Sequence, residues 1–339
     1  MPRVVGCDPG TSSLDLLLLV DGVVAAEAMI APDDGPPRLA ETLAAWAPID
    51  LVAGPSGYGL PLVRSSEATP RDLDRMALVR PDDREHGGGV RGFKAHVRAL
   101  LASGLPAVFL PGGLHLPSVP AHRKLNAIDL GTPDKVCVAA LALRQHAAAA
   151  GAPLSAATFA VVEVGTAFTA ILVIEGGKLV DAAAGTRGPV GLGSSGAWDG
   201  EAAYVLSPLT KADLFRGGVR SMGPDGPAAL RESLVKHLAG LRAVTPFETV
   251  YLSGKGLADP DVARRVGEGA SRFGRIVELA SLPGAQVKHA AQGAALLADG
   301  LAGGSNADLV ESLELRKASG TIGDYLRIRP EGRPAWLAD

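Results

Sequence analysis

Two stretches of this chain read as copies of one another. The first runs Arg3-Val4-Val5-Gly6-Cys7-Asp8-Pro9-Gly10-Thr11, continues through Leu14-Asp15-Leu16-Leu17-Leu18-Leu19-Val20, turns at Asp21-Gly22 and resumes as Val23-Val24-Ala25. The second runs Phe159-Ala160-Val161-Val162-Glu163-Val164-Gly165-Thr166, continues through Phe168-Thr169-Ala170-Ile171-Leu172-Val173-Ile174, turns at Gly176-Gly177 and resumes as Lys178-Leu179-Val180. Laid over each other without a gap, Asp8 meets Glu163, Gly10 meets Gly165, Thr11 meets Thr166 and Gly22 meets Gly177. Each copy predicts a strand, a tight glycine turn, a second strand, a two-residue hairpin and a third strand. Apolar strings coincide by chance. A carboxylate two residues before Gly-Thr, with a hairpin glycine at the same later position, does so far less readily.

A second echo widens the repeat. Asp50-Leu51-Val52-Ala53-Gly54-Pro55-Ser56-Gly57 and Thr249-Val250-Tyr251-Leu252-Ser253-Gly254-Lys255-Gly256 both read as a buried strand entering a loop of small residues. Between the copies, Pro133 to Ala150 predicts a helix with Thr132 as N-cap, Pro133 at its first position and Gly151 as its stop. Further helices are expected at 37–46, 92–101, 226–240, 259–273 and 287–300. Residues 64–91 read as a charged, glycine-rich surface excursion. The resulting division is a first lobe at 1–150, a second at 151–286, and C-terminal helices with a tail at 287–339.

Composition limits the function. With 339 residues the chain is long enough for two domains, and 47% hydrophobic against 20% charged residues is the balance of an ordinary folded protein. Thirty-three Lys and Arg against 36 Asp and Glu, with 4% aromatics, give no reason to expect nucleic acid as a partner. The 2 cysteines are too few for a disulfide framework or a four-cysteine metal site, and each lies in an apolar segment. No apolar run is long enough to cross a bilayer, and Met1-Pro2-Arg3-Val4-Val5 lacks the apolar core of a signal peptide. A cytoplasmic protein with no membrane association is expected, its partner a small molecule; a homo-oligomer is compatible with the sequence.

A strand that bends through Gly-Thr gathers backbone N–H groups and a hydroxyl into a small nest suited to phosphate. Two such bends, one per lobe, would grip a polyphosphate from both sides. The preceding carboxylates, Asp8 and Glu163, are placed to hold a hydrated Mg²⁺. Read singly, Gly10-Thr11 and Gly165-Thr166 are equally ordinary hairpin entries. As a matched pair they favour the clamp. No Gly-x-x-x-x-Gly-Lys-Ser/Thr string occurs, and no Gly-x-Gly-x-x-Gly opens a helix after the first strand, which disfavours P-loop and dinucleotide folds.

At these residues the chain resembles the superfamily of acetate and sugar kinases, heat-shock chaperone ATPases and actin. Within it, the chain is similar to an uncharacterised family labelled predicted butyrate kinase. The resemblance rests on Gly6-Cys7-Asp8-Pro9-Gly10-Thr11, Gly54-Pro55-Ser56-Gly57-Tyr58-Gly59, residues 123–135, Gly165-Thr166-Ala167-Phe168-Thr169-Ala170, Gly196-Ala197-Trp198-Asp199-Gly200-Glu201 and Ala290-Ala291-Gln292-Gly293-Ala294-Ala295. It implies an α/β architecture: a duplicated ribonuclease-H-like, actin-like ATPase fold with ATP and Mg²⁺ between two lobes. By position, Gly10, Thr11, Ser12 and Ser13 would be the first phosphate loop, and the stretch from Gly165 and Thr166 to Thr169 the second. Ser253, Gly254, Lys255 and Gly256 resemble the adenosine-contacting loop, and the helix from His289 the segment returning to the first lobe. Glu163 stands where many members carry Asp.

Residues 128–135 join a strand to a helix N-terminus, which favours anions. Asp129 and Asp134 are candidate bases or orienters of a nucleophile. Lys135, Arg123 and Lys124 are candidate partners for an anionic acceptor, and Ser56 lines the corresponding loop. Asp134 equally suits the helix dipole, and Asp129 a turn cap. Asp199 reads either as part of a substrate loop or as the cap of a helix at 201–206. The leading expectation is an ATP- and Mg-dependent kinase acting on a small molecule, a short-chain carboxylate being one acceptor. The alternatives are a nucleotide-driven switch without a small-molecule acceptor, and an ATP-dependent ring-opening or amide-forming enzyme.

Overall fold

The computed structural model describes every residue except 1, 11–12, 32–33, 87–91, 329, 333, 335 and 338–339, and every other side chain except those of 84–86 and 330. The first repeat forms β1 (Arg3–Pro9), β2 (Leu14–Val20) and β3 (Val23–Ile30), followed by α1 (Gly35–Ala45), β4 (Leu51–Ala53), β5 (Val63–Arg64), α2 (Pro70–Ala77), α3 (Phe93–Ala102), β6 (Ala107–Phe109) and α4 (Ala121–Lys124). Then comes α5 (Pro133–Ala150), and the second repeat as β7 (Phe159–Val164), β8 (Thr169–Glu175) and β9 (Lys178–Ala183). The remainder is α6 (Gly200–Val205), α7 (Gly226–Val244), β10 (Thr249–Ser253), α8 (Pro260–Ala270), β11 (Arg275–Glu278), α9 (His289–Leu301) and α10 (Ala307–Ser312).

The duplication is visible in the sheets. One has the order β3-β2-β1-β4-β6-β5 and the other β9-β8-β7-β10-β11, each with an antiparallel three-stranded meander and a parallel strand added beside the first. Both hairpins turn through two residues of positive φ, Asp21 (53°) with Gly22 (75°) and Gly176 (58°) with Gly177 (73°), as a two-residue turn matching strand twist requires. This is the predicted two-lobed, duplicated α/β architecture.

Each sheet is covered on both faces. Leu39, Leu43, Val97 and Leu100 of α1 and α3 bury the outer face of the first sheet with Val5, Leu16 and Phe109. Leu230, Leu234 and Leu238 of α7 do the same for the second, with Val162, Ile171 and Val250. The central layer is α5 and α9, whose Val136, Leu141, Ala291 and Leu297 share one core with both sheets. The two helices are exchanged. α5, which follows the first lobe, lies on β7 and β8, where its His146 stacks on Phe159 at 4.9 Å. α9, which follows the second lobe, lies on β1, β2 and β4.

Small residues let these layers approach. An added Cβ at Gly6 of β1 would lie 2.2 Å from Ala295 N in α9, and one at Gly293 of α9 would lie 1.8 Å from Cys137 O in α5. The run of alanines in α9 therefore brings backbone onto backbone at the helix crossing. Cys7 and Cys137 are free and buried there, their thiols pushed up by burial.

The excursion at 64–91 departs from expectation. Part of it is helical, because Thr69 and Asp72 close a capping box around Pro70 and turn Leu73 and Met76 inward. Among the described residues no helix is long and apolar enough to cross a membrane.

Candidate functional site

The two glycine bends close identically. Gly10 N–H donates to Ser13 O at 2.9 Å, and Gly165 N–H donates to Phe168 O at 2.9 Å. Both face one cavity of about 1550 Å³ between the lobes. Its walls include Asp8 and Gly10 from the first lobe, Glu163, Gly165 and Thr166 from the second, Ser253 to Lys255 after β10, and the starts of α5 and α9. The volume exceeds the 300–1,000 Å³ typical of a site for one small molecule.

Each strand-end carboxylate is met by a lysine from an exchanged helix. Asp8 and Asp15 sit directly opposite on β1 and β2, a like-charge pairing that would repel. Lys288, the N-cap of α9, lies between them: its Nζ is 2.9 Å from Asp8 Oδ2, 3.2 Å from Asp15 Oδ1 and 3.0 Å from Ser13 O. The ammonium occupies the space a Cβ at Gly10 would need, 2.6 Å away. In the second lobe, Lys135 of α5 places Nζ 2.9 Å from Glu163 Oε2 and 2.7 Å from Asp134 Oδ2.

These groups perturb one another. Burial raises Asp8, which Lys288 only partly offsets and Asp134 reinforces; burial raises Glu163 in the same way, against Lys135. Asp134 is held low despite its burial, because Lys135 and the Thr132 hydroxyl both serve it. Burial disfavours the charge on Lys135 and Lys288, yet their carboxylates outweigh it and hold both protonated. Asp129 is raised by burial to about 6, with the Gly131 N–H (2.9 Å) opposing and Asp134 adding to the shift.

The sequence candidates separate into groups. Asp8, Gly10, Ser56, Asp129, Asp134, Lys135, Glu163, Gly165, Thr166, Ser253, Gly254 and Lys255 all line the cavity. Ser13 lies beneath it, donating to Asp15 Oδ1 (2.5 Å) and accepting from Lys255 Nζ of the opposite lobe (3.3 Å). Thr169 is buried, its hydroxyl unpartnered. Gly256 lines a neighbouring cavity of about 310 Å³ that shares Thr166 and Lys255 with the larger one. Thr11 and Ser12 lie outside the described residues.

Three further candidates are engaged away from the cavity. Arg123 donates to Val180 O and pairs with Asp181, because α4 runs beside β9 rather than along the cleft. Lys124 is buried with Nζ on Leu116 O. Asp199 caps α6 through Glu201 N–H, the capping alternative.

Sequence reading missed Lys288, Asp15, His289, Tyr58 and Lys211 as site residues. Asp15 carried a signal, a lone carboxylate in an otherwise apolar strand. His289, whose Nδ1 lies 2.9 Å from Ser253 Oγ, and Lys288 open the predicted α9. Lys211 is the first residue after Thr210, which makes a capping box with Asp213, in a segment without periodicity.

The comparisons with known proteins agree with this geometry. Residues 6–328 match the family described as protein of unknown function (DUF1464). The chain belongs to that family. A search of curated proteins finds no match. Among solved structures, the acetate kinase of Porphyromonas gingivalis is 13% identical, with a TM-score of 0.54 over 80% of this chain and 88% of that one. The acetate kinase of Entamoeba histolytica is 12% identical, with a TM-score of 0.52 over 80% and 86%. At these identities the likeness is one of fold: this chain shares the two-lobed architecture of those acetate kinases.

Proposed function

We propose that the protein is an ATP- and Mg-dependent phosphotransferase acting on a small-molecule acceptor. The observation that supports this best is the convergence of the two glycine bends, each with its carboxylate, on one cavity. Backbone N–H groups at the bends would take the triphosphate from either side. The smaller cavity beside Gly256 offers room for the nucleoside end.

The donor set fits a divalent cation. Asp8, Asp129, Asp134 and Glu163 all put carboxyl groups on the cavity wall, and burial makes Asp8, Glu163 and Asp129 resist ionising. A triphosphate brought up against these carboxyl groups needs a counter-ion with it. Among the described residues no three His, Cys, Asp or Glu side chains form a ready-made cage. Asp8 and Glu163 would therefore hold the ion through its waters, as Mg²⁺ prefers. When bound, it would neutralise charge on the transferring phosphate.

Asp129 suits the role of proton acceptor, being raised toward neutrality and facing the cavity. Lys135, fixed between Asp134 and Glu163, would stabilise charge on the γ-phosphate. Titration calorimetry with ATP-Mg tests the reading. Wild type should bind, and Asp8→Ala should weaken ATP-Mg binding at least tenfold while leaving magnesium-free ATP less affected. Equal affinity in both would remove the metal-holding role, and absence of ATP-Mg binding by wild type would remove the whole assignment.

A further inference from the structure

Lys211 and Tyr58 have no part in the phosphate handling above, yet they meet in the wall of the same cavity. Lys211 opens a short 3-10 turn, 211–215, on a segment leaving the second lobe. That segment straps across to the first lobe. Lys211 N–H donates to Asp83 Oδ2 at 2.5 Å, and an Arg80 guanidinium N–H donates to Leu209 O at 2.9 Å. Lys211 is 8% exposed; its Nζ donates to Tyr58 Oη at 2.7 Å and stands 4.2 Å from the centre of that ring.

What Lys211 lacks, among the described residues, is a counter-ion. Lys135 and Lys288 each touch two carboxylates, whereas among the described residues no carboxylate oxygen lies within 4.0 Å of Lys211 Nζ. Burial lowers its pKa to about 8, with Asp129 and Asp83 only partly offsetting. An ammonium taken out of water without an ion partner is unfavourable, and a phenol and a ring face compensate only in part. The wall of the same cavity also carries apolar side chains, Leu78, Phe93, Phe168, Leu214 and Phe215, with Phe168 and Phe215 edge to face at 4.9 Å.

We propose that Lys211 and Tyr58 bind the carboxylate of a small, apolar-bodied hydroxy acid, whose hydroxyl is the phosphoryl acceptor. This rests on the phosphotransferase reading and names its acceptor. The unpaired ammonium requires an anion, and the aromatic wall requires a carbon skeleton. The third requirement comes from Asp129. A bare carboxylate attacking beside it would meet a second carboxylate, whereas a hydroxyl gives its proton to it. In the step, the acceptor oxygen forms a bond to the γ-phosphorus as the bond from phosphorus to the β-bridging oxygen breaks. ADP leaves, and the hydroxyl proton passes to Asp129 and then to water. Because Tyr58 comes from one lobe and Lys211 from the other, the anchor exists only while the strap spans the cleft.

The experiment measures ADP release from ATP-Mg with matched acids: lactate against propionate, leucic acid against isocaproate, and mandelate against phenylacetate. At least one hydroxy acid should stimulate release tenfold or more over its deoxy partner. With that acceptor, Lys211→Met should raise KM at least tenfold and leave the ATP-Mg dissociation constant within twofold. Tyr58→Phe, which removes a single oxygen, should raise KM in the same direction and guards against a folding defect in the first variant. Stimulation by the deoxy acids to the same extent, silence of all three hydroxy acids in a protein that binds ATP-Mg, or an unchanged KM in both variants overturns the proposal. Failure of wild type to bind ATP-Mg overturns the phosphotransferase reading instead.

Discussion

Asp129 sits in the cavity wall with one backbone N–H on its carboxyl group and Asp134 close by, and burial raises it to about 6. In the unfolded chain an Asp titrates near 3.9 (about the model-peptide value). The folded state therefore holds this proton more tightly. Its contribution to stability is complete below the unfolded value, falls as pH rises through about 6, and is gone at pH 8. Asp129→Asn, which cannot ionise, should be as stable as wild type near pH 4 and more stable at pH 8, by on the order of 2 kcal/mol in denaturant melts. It should also lose turnover. A variant no more stable at pH 8 would show that the site accommodates the charge, and with it that Asp129 is no base tuned toward neutrality.

The crossing of α5 and α9 fixes where Lys135 and Lys288 start, so its packing matters beyond stability. Gly293→Val would drive a side chain into the Cys137 carbonyl and should destabilise by about 3 kcal/mol or more, as overpacking in a core does. Gly267→Ala in α8, with nothing within 4 Å of the new methyl, should be neutral or stabilising by up to about 1 kcal/mol. Equal effects in thermal melts would mean the crossing can relax. The sequence carried these elements unevenly. The meanders were legible because alternating turns and continuous apolar strands repeat at a fixed offset, and α5 was legible because Thr132, Pro133 and Gly151 punctuate both ends. The ion-pair network was not. Lys288 and Asp8 are neighbours only through the exchange of α9, and nothing local in either segment encodes it. Arg123 and Lys124 were misleading for the same reason: nearness in sequence to Asp129 placed them by a helix that turns toward β9.

On the scale of the whole molecule, a ligand bound across both lobes should tie them into one cooperative unit. ATP-Mg at about a hundred times its dissociation constant would add roughly 2.7 kcal/mol to the folded state. The melting temperature should then rise by a few degrees, about what such an energy yields in a domain of this size. Chelating the magnesium should abolish most of that rise. A rise that survives chelation would separate nucleotide binding from the metal.

The helix exchange has one more implication, and it concerns origins. A single repeat of this chain would present an acid at the end of its first strand, while the ammonium that answers it begins a helix belonging to the other repeat. An unfused ancestor encoding one repeat would have met that need only by trading C-terminal helices with a sister molecule. Gene fusion would then have made permanent a homodimer that already shared its cleft.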